Sequence, residues 1–136
     1  MIRSILWFRQ DLRLHDNEAL IEALRNSDEL LPVYVFDPQH FRARTSFGTS
    51  KTGYARSRFL IESVTNLRQQ LQSLGSELMV RIGDPAEILY SLSIQHKAYY
   101  IYCNRERTKE EAEVQDRLEK KLWTIGREVR FSRGKM

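Results

Sequence analysis

The chain has 136 residues, of which 41% are hydrophobic and 29% charged, and its formal net charge is +4 with a pI of about 9.4. This length and composition predict one folded domain with its own core, and they exclude a disordered or fibrous chain. The small positive charge permits contact with nucleic acid or an anionic cofactor but requires neither. The single cysteine, Cys103, excludes an internal disulfide and a multi-cysteine metal site.

The N-terminal segment does not have the pattern of a targeting sequence. Its apolar run is too short for a signal peptide, and no small-residue cleavage site follows it. No stretch of the chain approaches the ~20 apolar residues of a membrane-spanning helix. We therefore expect a cytoplasmic protein that has no contact with a membrane.

The first predicted elements are a strand, a helix and a second strand. Residues 2–8 form a continuous apolar run typical of a buried strand, and Asp16 and Asn17 are suited to cap the helix that follows. Residues 30–36 predict the second strand, and residues 39–53, which lack any period, predict a long and candidate functional loop. The first helix is predicted to carry three apolar residues on one face: Leu20, Ala23 and Leu24.

The middle of the chain predicts a long helix, a third strand and a shorter helix. Residues 54–74 have helical periodicity, and Gly75 stands where a C-terminal cap belongs. Residues 77–82 predict the third strand. Residues 84–95 predict the next helix, because an Asp cap, a Pro at the first position and a Glu three residues after the cap open it. The long helix has five apolar residues on one predicted stripe: Leu60, Val64, Leu67, Leu71 and Leu74.

The C-terminal part predicts a strand, a helix and a last strand. Residues 98–103 form the fourth apolar run, and residues 108–111 (TKEE) have the pattern of a capping box. Gly126 ends the predicted helix, and residues 128–132 predict a short fifth strand. Three apolar residues line that helix: Val114, Leu118 and Leu122.

Strands that alternate with helices predict an α/β domain. We expect a doubly wound, Rossmann-like, five-stranded parallel sheet with helices on both faces. In such sheets ligands bind beyond the carboxyl ends of the strands, near the point where the strand order reverses. The loops after Phe8, Phe36, Ile82 and Cys103 are therefore expected to share one edge and to form the site.

A dense group of charged residues follows the first strand: Arg9, Asp11, Arg13, His15 and Asp16. The segment contains no glycine, which excludes a glycine-rich dinucleotide loop and a P-loop there. Two interpretations remain open. Arg9 and Arg13 would bind carboxylates or phosphates, oriented by Asp11 or Asp16, or the group is a salt-bridge network that fixes the turn.

The segment after the fourth strand, residues 104–111, is also polar and lies at the predicted binding edge. One interpretation is a set of hydrogen-bonding side chains for a heteroaromatic ligand, formed by Asn104, Glu106 or Glu110. The other is a solvated helix start, where acidic residues are favoured by the helix dipole.

The sequence contains no recognisable set of catalytic or metal-binding residues. His15, His40 and His96 lie in three separate segments without ligand spacing, so we expect no metal site. Cys103 ends a predicted strand and is interpreted as a buried, inert thiol. No nucleophile-elbow motif is present. We therefore assign no catalytic residue.

Several segments together are similar to one known family. The pattern W-F-R-x-D-L-R-x-x-D-N-x-A-L is matched in full by residues 7–20. Residues 32–38 (PVYVFDP), residues 51–64 and the G-D-P at residues 83–85 fit as well. The chain resembles the N-terminal α/β domain of the photolyase/cryptochrome family, and residues 51–64 are most like the DASH cryptochromes.

The resemblance implies an antenna domain that holds methenyltetrahydrofolate or a deazaflavin. By position, it implies folate contacts at Lys109, where the family more commonly has Asn, and at Glu110. It implies deazaflavin contacts in residues 36–38 and 104–106. The implied cofactor-binding residues are Phe36, Asp37, Asn104, Arg105, Glu106, Lys109 and Glu110. The implied structural motif is Trp7, Arg9, Asp11, Arg13, Asp16 and Asn17.

The family also carries a helical domain that binds FAD, and residues 1–136 do not include it. We therefore expect one domain that has no FAD, is not catalytic alone, and holds an antenna cofactor weakly or not at all. The expected partners are a helical FAD-binding domain or chain and a second copy of this chain, through the surface left exposed. DNA contact is expected to be weak or absent. Two other functions remain open, a stand-alone nucleotide- or small-molecule-binding protein and a nucleic-acid-binding module.

Overall fold

The structure is a computed structural model that describes residues 2–9, 12–15, 17–37, 50–106 and 109–132, without the side chains of residues 50–57 and 110. The strands are β1 Arg3–Phe8, β2 Glu29–Phe36, β3 Met79–Ile82, β4 Tyr100–Asn104 and β5 Glu128–Ser132. The helices of the described ranges are α1 Glu18–Asn26, α2 Ser50–Ser73, α3 Pro85–Gln95 and α4 Lys109–Trp123. The predicted alternation of strands and helices is confirmed.

The five strands form one parallel sheet in the order β3-β2-β1-β4-β5. From β1 the chain proceeds outward to β2 and β3, then returns to the other side of β1 to form β4 and β5. The strand order therefore reverses between β1 and β4. This is the doubly wound arrangement that the sequence predicts, and it creates a crevice at the carboxyl ends of those two strands.

The sheet buries both faces, because side chains alternate along each strand. Ile5 and Trp7 of β1 pack on one side with α3 and α4, where Leu89 and Leu118 are fully buried. A second set of side chains fills the opposite side under α1 and α2, and consists of Leu6, Phe8, Ala23, Leu67 and Leu71, among others. Burial on both sides explains why the strand sequences are continuously apolar rather than alternating.

The structure corrects the predicted face of two helices. In α1 the buried residues are Ala19 and Ala23, while Leu24 is 60% exposed because it lies one residue further around the helix. In α2 the predicted stripe does not extend to Leu74, which is 73% exposed. Leu74 lies in the capping turn after the last helical residue, so it no longer follows the helical period.

The long helix also begins earlier than predicted. Helix α2 starts at Ser50, so residues 50–53, predicted as loop, are helical; residues 39–49 of that predicted loop lie outside the described residues. Gly53 favoured the loop interpretation because glycine costs about 1 kcal/mol within a helix. Extending a helix that is already formed offsets such a penalty, because nucleation is the costly step.

Two helix ends use glycine as predicted. Gly75 follows α2 with a φ of 80°, and Ser76 N–H donates to the Leu71 carbonyl at 2.9 Å. Gly126 follows α4 with a φ of 71°, and Arg127 N–H donates to the Leu122 carbonyl at 2.9 Å. Both turns require the left-handed conformation that glycine adopts without steric cost.

Candidate functional site

The candidate site is the edge of the sheet where the strands end at their carboxyl termini. Phe8, Phe36, Ile82 and Asn104 are the last residues of β1, β2, β3 and β4 in this parallel sheet. Their loops therefore share one edge, as predicted. Strand β4 extends one residue past its predicted end, because Asn104 pairs with Ser132 of β5. Asn104 is consequently a strand residue rather than a loop residue.

Two asparagines connect the loop after β1 to the end of β4. Asn17 caps α1, and its Oδ1 accepts hydrogen bonds from Leu20 N–H at 3.2 Å and from Asn104 Nδ2 at 3.0 Å. Asn104 Oδ1 accepts from Ala19 N–H at 3.2 Å. Asn17 Nδ2 donates to the Arg13 carbonyl at 3.1 Å. Both amides are buried and fix the start of α1 against β4, so Asn104 has an architectural role here.

Arg9 connects the end of β1 to α4. Its guanidinium donates one hydrogen bond to the Glu111 carbonyl at 2.9 Å and another to Gln115 Oε1. The guanidinium also lies over the Trp7 ring, 4.4 Å from its centroid. Gln115 Oε1 accepts a further hydrogen bond from Glu106 N–H at 2.9 Å. A single buried side-chain oxygen therefore holds both the turn after β1 and the loop after β4.

The described residues of the opening motif therefore mainly contact neighbouring strands and helices. Trp7, Arg9 and Asn17 are engaged with neighbouring elements, which supports an architectural role for the charged turn. Arg13 is half-buried, and its carbonyl accepts from Asn17. The predicted salt bridges to Asp11 and Asp16 lie outside the described residues.

Three residues near the end of β4 present their side chains at this edge. The exposed Arg105 lies with its guanidinium over the Phe131 ring, 4.6 Å from the centroid, and its N–H donates to the Ser132 carbonyl at 2.8 Å. Glu106 is half-buried, and Lys109 opens α4 and is exposed. Glu110 belongs to α4, but its side chain lies outside the described set. The cationic Arg105 and the carboxylate of Glu106 are therefore adjacent in sequence at the same sheet edge.

Phe36 and Asp37 lie at the end of β2, on the other side of β1. Phe36 is half-buried and meets Tyr34 edge to face, with 4.9 Å between the ring centroids. Strands β2 and β4 are two strand spacings apart, about 10 Å. The structure thus brings the predicted residues to one edge, but it places them in two groups, Phe36 with Asp37 and Asn104 with its successors.

An arginine that the sequence interpretation did not select lies near the first of these groups. Arg117 of α4 donates two hydrogen bonds to the Asp84 carboxylate, at 2.8 and 3.1 Å. Asp84 raises the pKa of Arg117 through these bonds and its charge, and the charges of Asp37 and Glu87 raise it further. The Asp84 side chain makes no capping hydrogen bond, although it occupies the predicted N-cap of α3.

Gln115 is the other residue that sequence reasoning missed. It is 3% exposed and lies three residues before the buried Leu118 on the inward face of α4. A polar residue at an apolar position of a helix is the one local signal that marks it. One partner, Arg9, is 106 residues away, and the other, Glu106, lies in the preceding loop, so the sequence pattern alone does not identify them.

The described residues contain no cluster of three or more His, Cys, Asp or Glu side chains arranged to hold a metal ion. Cys103 is fully buried in the core, as predicted. Among the described residues, no helix is long and apolar enough to cross a membrane.

Two open grooves lie on the surface of the described residues, and the first adjoins Arg105, because Phe131 and Ser132 line it. One, of about 410 Å³, runs between α1 and β5 and is lined by Ile21, Tyr102 and Arg130, among others. The other, of about 470 Å³, lies at the opposite sheet edge and is lined by Ile2, Tyr99, Trp123 and their neighbours. Neither groove includes a residue predicted to contact a cofactor.

A five-stranded doubly wound sheet with polar residues at its switch point defines a class of α/β ligand-binding domains. Within that class, the family model described as DNA photolyase matches residues 4–136. The chain therefore belongs to the DNA photolyase family, and it corresponds to the N-terminal α/β domain of that family. The family uses folate or deazaflavin antenna cofactors.

The chain is 41% identical over 128 residues to the blue-light photoreceptor PHR2 of Arabidopsis thaliana, covering 94% of this chain and 28% of that protein. It is 43% identical over 126 residues to a cryptochrome DASH of Synechocystis sp., covering 93% and 26%. A crystal structure of the Synechocystis sp. cryptochrome superimposes with a TM-score of 0.86 at 41% identity, covering 96% of this chain and 27% of that one. The chain thus spans about a quarter of the length of these relatives.

Proposed function

We propose that this chain is an antenna domain that takes part in holding a folate or deazaflavin at the carboxyl edge of its sheet. The observation that carries the proposal is the opening motif of residues 7–20, whose Arg9 and Asn17 tie the first loop to α4 and to the end of β4. These contacts pre-form the edge at which the doubly wound topology predicts ligand binding, in a chain that belongs to the DNA photolyase family.

The residue types at this edge suit either cofactor. A pterin or flavin-like ring presents N–H donors, for which the carboxylates of Asp37 and Glu106 are acceptors. Arg105 and Lys109 carry positive charge suited to an anionic glutamate or phosphate tail. Phe36 offers a half-buried aromatic surface near the end of β2. The bound cofactor would absorb near-ultraviolet or blue light and pass the excitation to a flavin.

Hydrogen bonds within the chain already engage some of the predicted residues, which reduces the number of side chains that can contact the cofactor. Asn104 uses its amide to hold Asn17 and α1, so we assign it to the framework of the site. The same holds for Arg9, which is engaged with α4. Direct contact with the cofactor then falls to the more accessible side chains, above all Lys109 and Arg105.

We further propose that this domain works beside a helical FAD-binding domain or chain, as in the longer relatives. The parent activity would be light-driven repair of pyrimidine dimers or blue-light sensing. Residues 1–136 would be one domain that has no catalytic residue of its own, binds no FAD and contacts DNA weakly if at all. The full antenna site would lie partly on this domain, which predicts weak cofactor binding by the domain alone.

The test is an absorption and fluorescence titration of the purified chain with methenyltetrahydrofolate and, separately, with a deazaflavin. We expect a shifted absorption band that saturates with a Kd in the range of about 10 µM to 1 mM. Lys109→Ala should weaken binding about tenfold, because a charge-assisted contact is lost. A spectrum that does not change with either cofactor at about 1 mM chain would contradict the proposal.

Lys120→Ala is the matched control, since Lys120 is also exposed on α4 but lies near the opposite end of the helix. We expect Lys120→Ala to bind like the unmodified chain. Equal weakening by both substitutions would show that binding depends only on the net charge of the chain. That result would contradict a cofactor site at this edge.

A further inference from the structure

Gln115 is a polar side chain buried beneath the candidate site. It is 3% exposed on the inward face of α4, so a ligand at the sheet edge does not reach it. Its Oε1 accepts hydrogen bonds from the Arg9 guanidinium and from Glu106 N–H. Burying a side-chain amide costs free energy unless its polar atoms are paired, so these two contacts are what allows a glutamine at an otherwise apolar position.

The backbone after β4 is held at two consecutive residues. Arg105 N–H donates to the Ser132 carbonyl at 2.8 Å, which continues the pairing of β4 with β5. Glu106 N–H donates to Gln115 Oε1 at 2.9 Å, which attaches the loop to α4 instead. The Gln115 oxygen therefore fixes the backbone position from which the Glu106 side chain extends.

The helix that carries Gln115 also carries Lys109, its first residue. Glu106 and Lys109 are the carboxylate and one of the cations that we propose for contact with the cofactor. Because Gln115 attaches Glu106 to the helix to which Lys109 belongs, it sets the spacing between the backbone positions of these two residues. A fixed spacing lowers the entropy that is lost when one ligand contacts both side chains.

Arg9 in turn fixes the position of the Gln115 oxygen. Its guanidinium spans one turn of α4, with hydrogen bonds to the Glu111 carbonyl at 2.9 Å and to Gln115 Oε1. The guanidinium also lies 4.4 Å from the ring centroid of Trp7, which is itself buried. The oxygen therefore has one defined position before a ligand arrives, and the opening motif is connected to the loop after β4 through this atom.

We propose that Gln115 is a positioning residue of the cofactor site, whose side-chain oxygen holds Glu106 in place relative to Lys109 and thereby sets the affinity for the cofactor. This inference rests on the proposed function, because it assigns a cause to the affinity of the same site. Gln115 is neutral and does not touch the cofactor. Loss of its oxygen should therefore weaken binding through the loop, and Gln115→Glu, which keeps an oxygen acceptor, should restore binding.

Amide hydrogen exchange followed by nuclear magnetic resonance tests the positioning without a cofactor. In Gln115→Leu we expect the Glu106 amide to exchange at least about tenfold faster, while the Arg105 amide, which is bonded to β5, keeps its rate. Ile101→Val is the matched control, since it removes one carbon from the fully buried Ile101 of β4 and leaves the Gln115 oxygen in place. Equal exchange of the Glu106 amide in the two variants would overturn the proposal.

Absorption titration with methenyltetrahydrofolate and, separately, with a deazaflavin tests the consequence for the site. We expect Gln115→Leu to raise the Kd about five- to tenfold, and Gln115→Glu and Ile101→Val to stay within about twofold of the unmodified chain. An unchanged Kd in Gln115→Leu, an equal rise in Ile101→Val, or a Gln115→Glu variant as weak as Gln115→Leu would overturn the positioning role and leave the proposed function in place. Absence of binding of both cofactors by the unmodified chain would overturn the proposed function, and the positioning role with it.

Discussion

The two edges of the sheet differ in how their side chains are used. At the carboxyl edge, polar residues from β1, β4, α1 and α4 are held by one another, as in the contact of Asn104 with Asn17 and of Arg9 with Gln115. At the amino edge, Trp123 and Tyr99 project into solvent with much of their area unburied. The comparison teaches that the polar edge is internally organised, while the aromatic edge leaves much of its apolar area exposed.

The largest effect on stability is expected at Asn104. Asn104→Ala removes the acceptor of Ala19 N–H and the donor to Asn17 Oδ1 in a buried setting. We expect the free energy of unfolding to fall by about 2–3 kcal/mol, because buried polar groups lose their partners. Urea denaturation followed by circular dichroism measures the change.

Asn26→Ala is the control for this prediction. Asn26 donates to the Glu22 carbonyl at 2.8 Å, but in an exposed position at the end of α1. We expect a change within about 0.5 kcal/mol, as for most surface substitutions. Similar losses for both variants would mean that the Asn104 contacts do not organise the carboxyl edge.

A smaller effect on stability is expected at Gln115, whose Oε1 accepts hydrogen bonds from two loops. Gln115→Leu leaves Glu106 N–H without this acceptor and removes one partner of Arg9, so stability should fall by about 1–2 kcal/mol. Gln115→Glu keeps an oxygen acceptor at the same place and adds a charge opposite the guanidinium. We expect the Glu variant to retain most of the stability in urea denaturation. A Glu variant as unstable as the Leu variant would contradict the assigned role.

The smallest effect concerns the contact of Glu77 with Arg68 after α2, near the amino edge. The hydrogen bond from Arg68 Nε, at 2.7 Å, and a second from Gln72 lower the pKa of Glu77 to about 2. A lowered pKa in the folded state stabilises the fold above the ordinary glutamate pKa of about 4.3, and that contribution is lost as the pH falls toward 2. Because the pair is exposed, solvent screens the contribution and keeps it small.

Thermal unfolding of the Glu77→Gln variant checks this at several pH values. The difference in Tm from the unmodified chain should be present at pH 6 and shrink between about pH 4.5 and pH 2. Glu119→Gln is the control, since Glu119 is exposed and forms no ion pair within the described residues. A Tm difference for Glu77→Gln that is constant with pH would exclude the proposed linkage.

Local sequence signals predicted the elements well and their limits less well. Gly75 and Gly126 marked two helix ends because the left-handed turn is a property of the glycine itself. Leu24 and Leu74 are predicted to lie on buried stripes but are exposed, since a period shows that a stripe exists but not where packing stops. Asp84 was expected to cap α3 with its side chain, but Arg117, 33 residues away, takes that carboxylate.

What the sequence by itself determined is the α/β class, the parallel sheet and the polar edge at its switch point. These follow from apolar runs, helical periods and the opening motif, all of which are local patterns. Only the tertiary structure decided that Asn104 and Arg9 hold the framework, that Gln115 joins two loops, and that Trp123 lies beside Tyr99. Hydrogen bonds and packing between residues far apart in sequence depend on how the strands and helices are assembled, and no local pattern encodes that assembly.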